Sequence, residues 1–488
     1  MTPTIDYHAL APEIVLTATI VIVLLADVFA GDRERVLVPR LASIGVLAAL
    51  IPVVTLAVDG THRSMFHGAY VVDNYALAFK GFFLVVAYIS LLLSFDYIGD
   101  GDYYQGEYYV LLLTSVLGLS VMASSRDLIT IFVALETISI PTFVLAGWRK
   151  HDARSNEAAI KYFLIGVLST GVMLYGMSLV YGLTGSTLLR EIAAAVPRTD
   201  AVALLAVAMF LTLVGFAFKV SAVPFHFWVP DTYEGAPTPV TAFLSVASKA
   251  GGFVALLTVV IVAFARHGTI DAWAPVQWAL WILAAASMTL GNLTALRQTN
   301  IVRMLAYSSI AQGGFILVPL AVAGNAPRSA IEAVVIYLFI YGAMNLGAFA
   351  VVIAVARKTR SGEIASYSGL GQTEPVLALV MTGFLLSLAG IPPLAGWFAK
   401  FVMFRAALDA GTAAGTTLAV IAAVNSVIAF FYYAAVVRRM WFHAPAGVAS
   451  PLRTTSALAA AMAITVTIVL VVGVYPQVFA KIGELATS

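Results

Sequence analysis

Fourteen stretches of this chain are almost wholly apolar over about 18 residues or more, the length an α-helix needs to cross a ~30 Å hydrocarbon core. They lie at 10–30, 37–58, 74–96, 107–124, 127–147, 157–182, 201–229, 240–264, 271–293, 299–323, 329–356, 375–409, 415–437 and 455–478. Lipid offers a backbone no hydrogen bonds, so runs of this kind must close their own and fold as helices. The expected fold is therefore an all-α polytopic membrane protein of about 14 transmembrane helices. The seventh and twelfth runs are too long for one straight crossing and contain Pro224 and the pair Pro392 and Pro393, which predicts that both are discontinuous.

Composition excludes several functions. The net charge of +2 is small and its basic residues are scattered, so nothing indicates a nucleic-acid partner. With no cysteine, the chain cannot ligate an iron–sulfur cluster through thiolates or form a disulfide. No glycine-rich nucleotide-phosphate loop is present. The N-terminus lacks the positive start of a cleaved signal, so the first run is expected to be a retained helix.

Cytoplasmic loops carry an excess of Lys and Arg. Placing both termini outside gives the inner loops fourteen basic residues against seven outside, which favours that orientation. Spans six and eleven share an A-x-x-x-Y core followed by small residues, and the proline-broken spans seven and twelve stand at a similar separation. Five spans lie between equivalent points, so the second copy is inverted. The expected division is residues 1–106 as three N-terminal helices, 107–265 as a first repeat, 266–441 as its inverted counterpart and 442–488 as a last helix.

A lysine deep in a membrane helix costs about 2.5–3.5 kcal/mol on insertion scales and marks function by default. Lys219 and Lys249 sit near mid-span on either side of the broken turn, and Lys400 follows the second break, toward the outer half. Glu136 lies at mid-depth in span five, either as a partner for Lys219 or as a protonated acid bound to a neighbouring helix. Backbone carbonyls freed before Pro224 are expected to favour the Lys219 ammonium. His226 is either a proton shuttle near neutrality or a satisfied core histidine. Lys161 stands a few residues inside span six, where it snorkels or joins a relay. Lys80 and Arg405, near span ends, are expected to snorkel.

The stretches FKVSAVPFHFWVPDTYEGAPTPVTAFLSVASK, YSSIAQGGFIL and LAGIPPLAGWFAKF resemble the antiporter-like membrane subunits of respiratory complex I, which share ancestry with multisubunit cation/proton antiporters. The opening LAPEIVLTATIVIVLLADVF, the fourteen-span length and a lysine at position 400 resemble the subunit N branch of that family. The resemblance implies proton translocation from cytoplasm to outside, with Glu136, Lys161, Lys219, His226, Lys249 and Lys400 as relay groups. Relatives commonly carry a histidine where this chain has Gln312, an amide that cannot change charge, so if that point is a relay station, water bridged by Gln312 would have to serve there. The resemblance further implies that FMN, iron–sulfur clusters and quinone belong to partner subunits, with none of them in this chain. Its partners would be subunits M, K and J, and its location a bacterial plasma membrane. A subunit of a sodium/proton antiporter or of a hydrogenase-linked ion pump would use the same helices.

Overall fold

The computed structural model describes residues 5–29, 36–60, 62–99, 106–264, 273–445 and 454–487. Arg33, Arg35, Arg266 and Arg453, which enter the loop-charge balance, lie outside the described residues, as do the predicted span limits at 30 and 271 and the division at 265–266.

Thirteen helices among the described residues are long and apolar enough to cross a membrane. The first seven are α1 (Ala11–Phe29), α2 (Leu37–Asp59), α3 (Asn74–Gly99), α4 (Glu107–Ser124), α5 (Leu128–Ala146), α6 (Ala153–Thr184) and, after the short α7 (Leu189–Ala195), α8 (Val202–Val220). A separate short helix α9 (Trp228–Gly235) precedes α10 (Thr238–Phe264), α11 (Trp273–Ala295), α12 (Ile301–Ala321) and α13 (Pro327–Thr359). The fourteenth crossing is the pair α14 (Pro375–Ala389) and α15 (Gly396–Asp409), followed by α16 (Ala413–Phe442), α17 (Ser456–Val474) and a C-terminal α18 (Gln477–Leu485). Polar caps set several starts: Asp127 accepts from Ile129 and Thr130, and Asn300 from Val302 and Arg303. The only sheet among the described residues is a hairpin of β1 (Arg63–Met65) and β2 (Tyr70–Val72), which defines one face of the bundle.

Both expected breaks are present. Helix α8 ends in a left-handed Ser221, with φ 62°, and the freed Val223 N–H donates to Ser287 Oγ of α11 at 2.9 Å. Helix α14 ends at Gly390, with φ 93°, and beyond it Gly396 N–H donates to Ser387 Oγ at 3.0 Å and Ala395 N–H to Val469 O at 3.1 Å. At each break a neighbouring helix thus accepts from a freed N–H, and Ser387 of the broken helix itself accepts another, which helps an interrupted helix persist at membrane depth. Helices α10, α12 and α13 form the buried centre. Large apolar side chains such as Val133, Ile140, Leu168 and Phe431 face outward from α5, α6 and α16, as a lipid-facing surface requires.

Candidate functional site

Lys219 occupies the last turn of α8 and is 2% exposed. Its Nζ donates to Ser139 Oγ on α5 at 2.8 Å, so the direct contact to the ammonium comes from a neighbouring hydroxyl, at the C-terminal end of α8. Carbonyls at that end are used locally: the Phe218 and Ala217 oxygens accept from Ser221 and Ala222. Glu136 stands one helical turn before Ser139, within electrostatic reach of Lys219, and its buried Oε1 has no hydrogen-bond partner. No ion pair within 4 Å joins the two among the described residues. Gly252 of α10 lets that helix press on the lysine stem, since a Cβ there would stand 2.9 Å from Lys219 Cγ.

Lys249 lies at the centre of α10, directly after a π-helical stretch from Leu244 to Ser248. Its Nζ donates to Ser309 O at 2.7 Å and Ser309 Oγ at 2.8 Å on α12. The adjacent Ser308 makes a short hydrogen bond with Tyr433 Oη of α16. Gln312, one turn further along α12, gathers the next groups: it accepts from Tyr337 Oη at 2.7 Å and donates to Leu388 O at 3.1 Å and Tyr433 Oη at 3.4 Å. The following carbonyl, Ala389 O at the end of α14, accepts from Lys400 Nζ at 2.7 Å, and that ammonium also stands 4.9 Å from the Phe315 ring centre. A row of polar groups therefore runs from Lys249 to Lys400 through Gln312. His226 lies in the α8–α9 break, within electrostatic reach of Lys249, and its buried Nδ1 has no partner.

Lys161 is not isolated: its Nζ pairs with Glu157 and with Asp231 of α9, each at 2.6 Å. Asp231 and Glu234 in turn both accept from Arg303 of α12 at 2.8 Å. Burial works to raise the Asp231 carboxyl, but the hydrogen bonds from Lys161 and Arg303 outweigh it and hold the group below the ordinary aspartate value. Trp228 stacks on Tyr162 at 4.4 Å, and Arg149 Nη2 donates to Gly235 O at 2.8 Å, so α9 is pinned at both ends. Asp231, Glu234 and Arg303 were not singled out from sequence, although two carboxylates three residues apart directly after an apolar run were visible in PDTYEG.

Lys80 overturns the snorkelling expectation. It is fully buried, pairs with Glu13 Oε1 at 2.8 Å and donates to Tyr70 Oη at 2.8 Å, because the β1–β2 hairpin packs over the end of α3. Arg405 does stay at the surface, beside Asp409 at 3.5 Å.

Residues 125–429 match the family described as NADH:quinone oxidoreductase/Mrp antiporter, transmembrane. The chain belongs to this family of antiporter-like membrane subunits. A relative named NADH-quinone oxidoreductase subunit N, from Trichlorobacter lovleyi, is 41% identical, with 99% of this chain and 98% of that one aligned. NAD(P)H-quinone oxidoreductase subunit 2 from Synechococcus sp. strain JA-3-3Ab is 43% identical over 90% of this chain and 81% of its own length. Among solved structures, a chain of respiratory complex I from Thermus thermophilus, determined with bound aureothin, matches at a TM-score of 0.79 and 32% identity, covering 96% of this chain and 98% of that chain. Within the antiporter-like family this is thus a multi-pass membrane subunit of the subunit N type, and its companions are other membrane subunits of complex I.

Proposed function

We propose that this chain carries protons across a bacterial plasma membrane as the subunit N of an NADH:quinone oxidoreductase, without itself handling electrons. FMN, iron–sulfur clusters and quinone belong to partner subunits in this reading, and subunits M, K and J are the neighbours. Both termini lie outside, and the two inverted copies at 107–265 and 266–441 provide the paths inward and outward.

One observation carries the reading. Lys219, Lys249 and Lys400 are at least 94% buried, yet each is held by hydroxyl or carbonyl oxygens, with no carboxylate within 4 Å among the described residues. Neutral acceptors steady an ammonium without fixing its charge, whereas a contacting carboxylate would hold the proton in place. Protons enter on the face of α9, where Lys161, Asp231 and Arg303 form a partly exposed charged rim, and pass His226 toward Lys249. Lys219 alternates between Ser139 and Glu136, and its charge sets how readily Lys249 releases a proton. From Lys249 the route follows Ser309, Ser308, Tyr433 and Gln312 to Lys400, which releases outward.

Because an amide cannot titrate, transfer past Gln312 uses the hydroxyls of Tyr337 and Tyr433 that it aligns. The test is proton movement per electron in liposomes containing the assembled complex. Lys219→Ala and Glu136→Ala should both lower it; undiminished pumping in both variants overturns the relay. Cysteine labelling at the chain ends from either side of the membrane tests the orientation, and pumping without added sodium tests the identity of the ion.

A further inference from the structure

Glu13 of α1 and Lys80 of α3 form a buried ion pair outside the two repeats, and the relay above makes no use of it. Lys80 is wholly buried and Glu13 is 8% exposed. Glu13 Oε1 accepts from both Lys80 Nζ at 2.8 Å and Ser120 Oγ of α4 at 2.6 Å, while its buried Oε2 has no hydrogen-bond partner. Ser124, one turn along α4 from Ser120, buries its hydroxyl beside Tyr70. The other groups facing the ammonium are Tyr70 of β2, Asp73 at the start of α3 and Arg126 of the α4–α5 connection.

These last groups lead outward. Arg126 pairs with Asp73 at 3.0 Å, both partly open to solvent, and Ser125 bridges by backbone to Tyr70. Above them Arg63 binds Asp6 at 2.8 Å and Asp59 at 3.2 Å, forming a charged rim on the hairpin face. A buried pair of this kind rarely repays its desolvation as a stabilising device, since apolar residues of similar size commonly serve as well or better. Within a membrane, such a pair marks an ion or proton path by default.

We propose that Glu13 and Lys80 are a second proton-binding site, a release pair on the hairpin face that exchanges protons with the outer water through Tyr70. A proton arriving at the free Glu13 Oε2 converts the carboxylate to the acid and cancels its hold on Lys80. The uncompensated ammonium then gives up a proton toward Tyr70 and the Asp73–Arg126 rim. Transfer of the Glu13 acid proton to the resulting amine restores the pair, so one proton enters, one leaves and no other bond changes. This role rests on the proton-carrying function proposed above, and it adds an outlet that the two repeats do not contain.

The test uses the assembled complex in liposomes and compares Glu13→Gln/Lys80→Met, which removes both charges together, with Tyr70→Phe, which leaves the pair and deletes its outlet. The double variant should move fewer protons per electron and lose a carboxylic C=O band from the turnover-induced infrared difference spectrum. Tyr70→Phe should assemble normally and delay the appearance of protons at a pH dye on the hairpin face. Parent-like stoichiometry and an unchanged infrared spectrum in the double variant would make the pair purely structural. Should the double variant fail to assemble, unchanged release kinetics in Tyr70→Phe overturn the proposal instead. Lys219→Ala in the same liposomes separates the two claims: if it impairs pumping while the Glu13, Lys80 and Tyr70 variants do not, only the release pair falls.

Discussion

Replacing Gln312 with leucine tests the central polar row most directly. The amide accepts from Tyr337 Oη at 2.7 Å and donates to Leu388 O at 3.1 Å, and both groups are buried. Tyr433 keeps Ser308 as a partner, so two groups are orphaned, not three. At about 1–3 kcal/mol for each unsatisfied buried group, the substitution costs about 2–6 kcal/mol in stability. Leucine is close to glutamine in volume, which leaves little room for a water to repair the loss. If only the lower figure, about 2 kcal/mol, enters the barrier for transfer between Tyr433 and Lys400, the step slows roughly thirtyfold. Thermal melting of the assembled complex and protons moved per electron in liposomes give the two readouts. Gln312→His should retain most of both, because a neutral imidazole also offers one donor and one acceptor. A Gln312→Leu complex that melts and pumps like the parent would refute the reasoning, since the amide would then be ordinary packing.

Other outcomes follow from the same geometry. Gly390→Ala should lower pumping, because φ is 93° there and the new Cβ would stand 2.7 Å from Lys400 Cδ; the strain is about 1–2 kcal/mol, and Gly383→Ala, with nothing within 4 Å, is the control measured alongside. Ser139→Ala should impair proton movement by removing the Lys219 partner, a hydrogen bond to a charged group worth about 1.5–3 kcal/mol, and Ser139→Thr should restore it. The depressed Asp231 carboxyl stabilises α9 at any pH above the unfolded aspartate value of about 3.9, and that contribution is lost only as pH falls through the still lower folded value. Asp231→Asn should therefore lower the melting temperature by a constant amount between about pH 6 and 8, with the difference from the parent shrinking only in strong acid.

The parts of this fold that sequence made legible are those where a charge stands against an apolar background. Lys219, Lys249 and Lys400 stood out because each is a charge flanked by apolar residues well inside its span, and Pro224 and the Pro392–Pro393 pair marked the two breaks. Lys80 was hidden by its position near a span end, where snorkelling is the default, and nothing in residues 63–72 announced a hairpin packed over that end. Glu13 stands in the first turn of α1, where a carboxylate is favoured by the helix dipole whatever else it does, so its position alone does not mark it. Asp231 and Glu234 read as loop residues because their segment follows a long apolar run, and it is packing against α6 and α12 that makes it a helix. The identity of Gln312 was plain, but its partners Tyr337 and Tyr433 stand 25 and 121 residues further along the chain, a pairing that only the packed helices establish.

The lysines inside or at the edge of the bundle divide by what holds them, and the division corresponds to what each can do. Lys80 and Lys161 touch carboxylates at 2.6–2.8 Å. At an effective dielectric near 20, a buried pair about 4 Å apart is worth about 4 kcal/mol of attraction, which closer contact increases. Lys80 therefore does not give up a proton until Glu13 is itself protonated, whereas the half-exposed Lys161 is held by two solvent-screened pairs. That makes Lys161 a fixture of the α9 rim, and it makes Lys80 a group that waits on Glu13. Lys219, Lys249 and Lys400 have only neutral oxygens in contact, so a charge that approaches or withdraws by a few ångströms changes their hold on a proton by an amount comparable to the hydrogen bonds themselves. Glu136 is placed to be that charge for Lys219, one helical turn from Ser139 and with a free oxygen. A shift of the ammonium from Ser139 toward Glu136 would draw positive charge away from the α10 side of the bundle and let Lys249 take up a proton. The reverse shift would drive that proton on toward Gln312 and Lys400.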